Sequence, residues 1–400
     1  MIEFLIETYH RLIDELEITT QRYLYPFFGL KDRLTGIIGP RGVGKTTLLL
    51  QYIKNELYKN KVTFYFSADS VFFDSLTLLE FVSDLYKNGG YRIIFIDEIH
   101  KYANWNQELK NIYDSFPKLH VVFSGSSMLD LVHGSYDLSR RAVLYYLKGM
   151  SFREYLNFHG STKWDPIAWD KLISGKETNP GKIDRLKTVF QNYLERGYYP
   201  FLAENSLTYY EKLRRIVDKT IYEDIANYYH LNTSNLQYFK KILSYLSNIP
   251  PGEINTNNLG KHLGIDHKTA AHYLQILNDV GLIRIIYPKE GGAISIRKPA
   301  KIFLNNTTLL YALAKFTGGQ ATKGIERELF FFQSVVDAGK EVFYSKVGDF
   351  SVENNIFEIG GKKKNSRQIR ETAQTAYLVK DDILFPHGNV LPLHYFGFLY

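Results

Sequence analysis

A glycine-rich segment near the start of the chain carries residue types that suit phosphate chemistry. It fits the pattern G-x-x-x-x-G-K-[ST] and reads Gly39, Pro40, Arg41, Gly42, Val43, Gly44, Lys45 and Thr46. Glycines let backbone N–H groups turn towards phosphate oxygens, and a following helix points its positive end at them. Lys45 would reach the β- and γ-phosphates, and Thr46 would offer its hydroxyl to Mg²⁺. We therefore predict a binding loop for ATP and Mg²⁺ that extends to Thr47.

Two carboxylates follow an apolar run further along the chain. Ile93 to Ile96 read as a buried strand, and Asp97 and Glu98 come directly after it. Ligands of open parallel sheets bind at the carboxyl ends of the strands. Asp97 would hold Mg²⁺ through its water shell, while Glu98 would orient and polarise the attacking water. This pair predicts that ATP is hydrolysed, with water as the nucleophile.

A third polar group follows the apolar run Val121 to Phe123. Ser124 and Ser126 stand where a strand end would meet the γ-phosphate or the attacking water. Either serine could instead cap the next helix. The residues alone do not separate these two serines or these two roles.

The elements that must position these groups alternate between strand and helix from Leu34 to about Leu147. Helical patterns run from Leu48 towards Tyr58 and from Phe72 to Tyr86. The strand candidates are Leu34–Ile38, Val62–Phe66, Arg92–Ile96, Val121–Phe123 and Val143–Leu147. Such alternation predicts an α/β fold, a P-loop NTPase type of parallel sheet with helices on both faces.

Composition limits the classes of protein and partner. The chain has 400 residues, a formal charge of +7 and no cysteine, which excludes disulfides and thiol chemistry and fits a reducing cytoplasm. The N-terminus has no apolar signal region, and its amphipathic spacing predicts a helix that packs on its own domain. No run approaches the roughly 18 apolar residues of a spanning helix. We expect a soluble cytoplasmic protein without a membrane partner.

The C-terminal half contains a pattern typical of a winged helix-turn-helix, from Thr256 to Ile296. Gly281 to Arg284 would open the wing, whose tip would lie at 289–292. The second helix would turn four polar groups outwards, namely His267, Lys268, His272 and Gln275. Only one of them is reliably charged, so double-stranded DNA and protein remain alternative partners.

The end of the chain resembles the restriction-endonuclease-like core, in which a helix Glu, a strand Asp and an E-x-K motif share a metal ion. Glu326, Asp349 and Glu358 match the carboxylates, but Gly360 stands where the lysine belongs. The missing lysine predicts a degenerate scaffold without nuclease activity. The basic residues beyond it would contact a polyanion or another subunit, or form a solvated loop; they are Lys362, Lys363, Lys364, Arg367 and Arg370.

The order of these motifs resembles a prokaryotic group of AAA+ ATPases whose C-terminal region has no known function. The resemblance rests on the phosphate-binding loop and on the stretches IIFIDE, FSGSS, LSRR and MSFREY, with FEIGGKKK and FGFLY near the end. It implies that Ser124 or Ser126 fills a sensor position and that Arg141, with Arg140 as the alternative, faces a γ-phosphate. It also implies a homo-oligomer, because such relatives complete their sites with an arginine from a neighbouring subunit.

These observations predict five regions and one leading function. The regions are a helical leader (1–30), the ATPase core (31–160), a helical connector (161–249), the winged helix (250–315) and a degenerate nuclease-like α+β domain (316–400). The leading hypothesis is an ATPase that works as a nucleotide-driven switch or motor, with DNA as a candidate partner. The alternatives are a module that holds structural ATP without hydrolysis and an ATP-dependent nuclease.

Overall fold

The computed structural model describes residues 2–17, 20–126, 138, 140–203, 207–249, 255–288, 301–364 and 374–400. Within it the chain forms two compact units, Met1–Gly149 and Met150–Tyr400. The tip of the predicted wing lies outside the described residues, as do Arg367 and Arg370 of the basic run. The finer division into five regions stays a prediction.

The first unit is built around a five-stranded sheet in which all paired strands are parallel. Its strands are Leu34–Ile38 (β1), Thr63–Ser67 (β2), Ile93–Asp97 (β3), His120–Gly125 (β4) and Ala142–Tyr146 (β5). Their spatial order is β2-β3-β4-β1-β5. The strand β4 lies between β1 and β3, so the carboxyl ends of these three strands meet at one edge. The predicted parallel sheet is confirmed.

Four α-helices of the first unit are described: Ile2–Asp14 (α1), Lys45–Tyr52 (α2), Leu78–Lys87 (α3) and Trp105–Ser115 (α4). The leader helix α1 packs on its own unit, because Tyr9 lies 5.6 Å from Phe64 of β2, ring centre to ring centre. The helix predicted from Phe72 begins later. Thr77 and Glu80 form a capping box that starts α3 at Leu78, and only a short 3₁₀ turn precedes it.

The second unit opens with helices and continues into two small sheets. Its described α-helices are Phe152–His159 (α5), Trp169–Ile173 (α6), Leu186–Arg196 (α7), Tyr209–Lys219 (α8), Ala226–Tyr229 (α9), Thr233–Asn248 (α10), Thr256–Leu263 (α11), His267–Asp279 (α12), Thr307–Thr317 (α13) and Lys323–Asp337 (α14). After α12, Ile283–Ile286 (β6) pairs antiparallel with Lys301–Leu304 (β7). None of the helices described in either unit is both long and apolar enough to cross a bilayer.

The second sheet of this unit has five strands of mixed direction. They are Val342–Tyr344 (β8), Phe350–Val352 (β9), Asn355–Gly360 (β10), Thr375–Lys380 (β11) and Val390–Pro392 (β12). The first three form an antiparallel meander, and β10, β11 and β12 are parallel to one another. The helix α14 packs on this sheet through Phe331, whose ring stacks on Phe350 at 5.3 Å.

Candidate nucleotide site

The phosphate-binding loop connects β1 to α2, as the motif requires. A Cβ on Gly39 would collide with the carbonyl oxygen of Leu147, so only glycine fits there. Gly44 has φ 92° at the N-cap of α2, in the left-handed region that glycine adopts without strain. The buried Lys45 donates from Nζ to the carbonyl oxygens of Gly39 (2.9 Å) and Pro40 (3.0 Å). The loop therefore combines glycine backbone that carries no side chain with the buried ammonium group of Lys45.

Three hydroxyl groups donate to the buried carboxylate of Asp97. Thr46 Oγ1 lies 2.5 Å and Tyr65 Oη 2.8 Å from Asp97 Oδ2, and the Ser124 hydroxyl donates to Oδ1. Burial, with Asp97 as its neighbour, raises the pKa of Tyr65 well above its usual value, so the phenol keeps its proton. The structure thus brings together Thr46 and Asp97, the two predicted Mg²⁺ ligands.

Glu98 leaves the end of β3 in an unusual backbone conformation. Its φ of 51° lies in the left-handed region, which costs a non-glycine residue free energy and often marks a functional site. Its Oε1 accepts a hydrogen bond from Ser126 Oγ at 3.2 Å. Burial raises the pKa of this carboxyl, and the positive charge of Lys45 opposes that effect. Ser124 and Ser126 therefore serve different carboxylates, Asp97 and Glu98 respectively.

His100 is part of this arrangement, although the sequence did not single it out. Its Nδ1 accepts from the backbone N–H of Ser126 at 3.4 Å, which assigns the proton of the neutral ring to Nε2. That nitrogen lies 3.5 Å from Glu98 Oε2. Burial lowers the pKa of His100 to about 3, and Arg41 and Lys45 add to the effect, so the ring is neutral. The short 3₁₀ turn Ile99–Lys101 brings it back to Glu98.

Arg141 does not lie at the phosphate-binding loop of its own subunit. It immediately precedes β5, where Ala142 pairs with Leu34, whereas the loop follows the other end of β1. Its guanidinium forms an ion pair with Asp114 at 3.1 Å. The strand separates Arg141 from the loop of the same subunit, and the expectation that Arg141 faces a γ-phosphate stays a prediction that concerns a neighbouring subunit. Arg140 is exposed.

The residues of the loop and of the strand ends fit ATP and Mg²⁺. The loop offers the buried ammonium of Lys45 to phosphate oxygens, and Thr46 and Asp97 offer the oxygen ligands that Mg²⁺ prefers. Among the described residues, no three His, Cys, Asp or Glu side chains are grouped to hold a metal by themselves. Mg²⁺ sites commonly combine one or two carboxylates with substrate phosphate oxygens, which suits Thr46 and Asp97 at this edge.

The second unit holds a different set of carboxylates, which we call the lysine-compensated cluster: Glu328, Asp349, Glu358, Lys301 and Lys364. Lys301 Nζ lies 2.8 Å from Glu328 Oε2 and 3.6 Å from Asp349 Oδ1. Lys364 forms an ion pair with Glu358, and its side chain fills the space beside Gly360 that a side chain there would need. Each carboxylate of the cluster therefore lies near a lysine.

The helix glutamate predicted for this region is corrected by the structure. Glu326 accepts from the Tyr311 hydroxyl and from Lys323 Nζ at 2.8 Å, away from Asp349 and Glu358. Glu328 is the residue of α14 that faces the cluster. Residues two positions apart on an α-helix point in directions about 200° apart. When Glu328 faces the cluster, Glu326 therefore faces away from it.

The two helices α11 and α12 form a compact pair, and β6 and β7 follow them. Asp266 caps α12 by accepting from the backbone of Lys268 at 2.8 Å and of Thr269 at 3.2 Å. The four polar groups predicted to face outwards are exposed: His267, Lys268, His272 and Gln275.

Comparison with protein families agrees with the class that the loop and the strand ends define. Residues 31–156 match an AAA domain (AAA_14), the type of domain found in nucleotide-driven ATPases. Residues 187–320 match a domain of unknown function (DUF8612). Each match covers less than half of the chain. No curated protein matches the sequence.

Solved structures give weaker alignments. Katanin, from a study of its self-assembly, aligns at 19% identity with a TM-score of 0.26, over 42% of this chain and 62% of katanin. The chain therefore spans less than two thirds of the katanin chain. AMPPCP-bound DnaA from Aquifex aeolicus aligns at 16% identity with a TM-score of 0.29, over 68% of this chain and 87% of DnaA. Because these TM-scores are low, the assignment of residues 31–156 to an AAA domain rests on the family match and on the geometry of the site.

Proposed function

We propose that the first unit hydrolyses ATP with Mg²⁺ and that the protein works as a nucleotide-driven switch or motor. The observation that carries this proposal is the division of labour between two adjacent carboxylates. Asp97 accepts from the hydroxyl of Thr46, the predicted Mg²⁺ ligand, whereas Glu98 accepts from the hydroxyl of Ser126. A protein that only stores ATP does not need the second carboxylate.

Each residue has a task that its position supports. Lys45 would neutralise phosphate charge from within the loop, and Thr46 and Asp97 would hold Mg²⁺, which supplies the charge that stabilises the transferring phosphoryl group. Glu98 would orient the attacking water, since phosphoryl transfer depends mainly on positioning and charge. Ser124 would fix Asp97, whereas Ser126 and His100 would fix Glu98. Arg141 would act, if it faces a γ-phosphate, in the site of a neighbouring subunit of a homo-oligomer.

The second unit would link turnover to a partner. The pair α11 and α12, followed by β6 and β7, supports a winged helix-turn-helix, and its exposed polar groups make double-stranded DNA the partner that we propose. The mixed sheet supports the degenerate nuclease-like scaffold. Lys301 and Lys364 favour that interpretation over an active nuclease, because they form ion pairs with the carboxylates that would have to bind the metal ion.

The proposal is tested by measuring ATP turnover of the purified chain with and without duplex DNA. We expect turnover to be lost in Lys45→Ala and Glu98→Gln and kept in the exposed control Lys59→Ala. Stimulation by DNA would support the role of the second unit, and turnover indifferent to DNA would assign that unit to protein contacts. Intact protein that binds ATP without hydrolysing it would refute the ATPase and favour a structural nucleotide.

A further inference from the structure

A cavity of about 560 Å³ lies among α8, α10, α11 and α13 of the second unit. Each residue that lines it falls within 187–320, the segment that matches a domain of unknown function. Val217, Leu243 and Leu313 are buried and give it apolar walls. Small-molecule pockets span roughly 300–1,000 Å³ and have mainly apolar walls with a few polar groups. The cavity has the size and the lining of a ligand site.

The charged residues that line the cavity are mostly basic. Arg214, Lys240 and Lys241 contribute three cations, and Asp218 contributes one carboxylate among the lining residues described. Lys240 Nζ lies 2.6 Å from Asp218 Oδ1, which leaves an excess of positive charge. Arg214 also contacts Glu211 at 3.0 Å, but both side chains are about half exposed, and such surface pairs contribute little. The lining therefore favours an anion.

Aromatic and hydroxyl groups complete the lining. The rings of Tyr245 and His262 lie 5.8 Å apart, and Phe316 is 37% exposed. Ser244 adds a hydroxyl that can accept or donate a hydrogen bond, whereas the Thr317 hydroxyl already donates to the carbonyl oxygen of Leu313 at 3.0 Å. An inorganic anion alone would leave the apolar walls in contact with water, so the ligand needs an apolar body as well as a charge.

We propose that this cavity binds an amphipathic organic anion, with an apolar body against Val217, Leu243 and Leu313 and an anionic head near Lys241 and Arg214. His262 and Leu263 belong to the last turn of α11. A bound ligand would therefore touch α11 together with α8, α10 and α13, and it would stabilise their packing through its binding free energy. The occupancy of the cavity would thereby influence the helix pair α11 and α12.

The test uses the full chain and 8-anilino-1-naphthalenesulfonate, an aromatic anion whose fluorescence rises in apolar surroundings. Decanoate and decylammonium, which share a chain length and differ in charge, compete with it. Ser244→Trp fills the cavity, and Ser234→Trp places the same residue on an exposed position of α10. Lys241→Glu reverses a lining charge, and Lys219→Glu reverses an exposed charge on α8 outside the lining.

We expect decanoate to displace the fluorescent probe at about tenfold lower concentration than decylammonium, a difference of roughly 1.4 kcal/mol. Ser244→Trp should abolish the displaceable signal and Lys241→Glu should weaken it about tenfold, while both controls bind like the original protein. Equal competition by decanoate and decylammonium would refute the preference for an anion. An unchanged signal in Ser244→Trp, with circular dichroism showing a folded protein, would refute the cavity as the site.

Discussion

The two units each hold a group of carboxylates, but they neutralise them in different ways. In the first unit, Asp97 accepts hydrogen bonds from three hydroxyl groups, and Glu98 accepts one from Ser126. In the second unit, Lys301 and Lys364 form ion pairs with Glu328 and Glu358. The kind of donor thus distinguishes the two groups of carboxylates.

This difference determines what each site can bind. Hydroxyl donors orient a carboxylate and leave its negative charge available, so a divalent cation can still gain from it. A lysine cancels the charge and takes up the space in which a cation would lie. The same acidic residue types therefore suit catalysis in one unit and structural ion pairing in the other.

The largest effect is expected from comparing one aspartate in each cluster. Asp97→Asn should lower ATP turnover by about 10²- to 10³-fold, because it removes the charge that would hold Mg²⁺. Asp349→Asn should leave turnover within about twofold, since its cluster has no part in phosphoryl transfer. Phosphate release at saturating ATP and Mg²⁺ measures both. Similar losses in the two variants would show that the clusters do not differ in this way.

Breaking an ion pair of the second unit should affect stability instead. Lys301→Met leaves the Glu328 carboxylate without its 2.8 Å partner in a poorly hydrated site, and we expect a loss of about 3 kcal/mol in unfolding free energy. Lys340→Met is the control, because its pair with Glu353 is more exposed and should contribute less than about 1 kcal/mol.

Urea unfolding followed by tryptophan fluorescence measures this difference. Trp105 lies in the first unit and Trp164 and Trp169 in the second, so a Trp105→Phe background reports on the second unit. Equal midpoints for the two lysine variants would mean that the cluster is not held together by Lys301.

The sequence predicted those parts of the site that are contiguous in the chain. The loop from Gly39 to Thr46 and the pair Asp97 and Glu98 follow from local patterns, because each lies directly beside the strand that positions it. The parallel sheet followed from the alternation of strands and helices.

The contacts that the sequence did not predict depend on the relation between elements. Tyr65 reaches Asp97 because β2 and β3 are neighbours in register, with Ser67 opposite Asp97. His100 depends on a single 3₁₀ turn, and Glu328 depends on the helical phase of α14. Charge and residue type are visible in a sequence, whereas sheet order and helical phase are set by tertiary packing.

His100 tests whether the neighbours of Glu98 position it. His100→Ala should lower kcat about tenfold, equivalent to about 1.4 kcal/mol, and leave the KM for ATP unchanged, because the ring acts through Glu98. His100→Gln, which retains an N–H donor, should recover part of the loss. A rise in KM with unchanged kcat would assign His100 to nucleotide binding instead.

Tyr65→Phe tests one hydroxyl donor of Asp97 by itself. We expect turnover to fall about fivefold, because one hydrogen bond to a charged group is removed while two hydroxyls remain. Tyr91→Phe is the matched control, since the ring of Tyr91 packs beside Phe64 in the same unit, 5.0 Å away. Steady-state phosphate release compares them, and equal rates would remove Tyr65 from the site.

The smallest effect concerns the dependence of stability on pH in the second unit. Burial raises the pKa of Glu328 despite its ion pair with Lys301, and Asp349 adds to the increase. Since the folded protein then binds this proton more tightly than the unfolded chain, protonation stabilises the fold.

The stability of the original protein relative to Glu328→Gln should therefore rise as the pH falls from 7 towards 4.5 and decline as the pH increases through the raised pKa. Unfolding midpoints of both proteins at pH 7 and pH 5 measure the sign. A relative loss of stability at pH 5 would mean that Lys301 outweighs burial, and the cluster would then be held mainly by its charges.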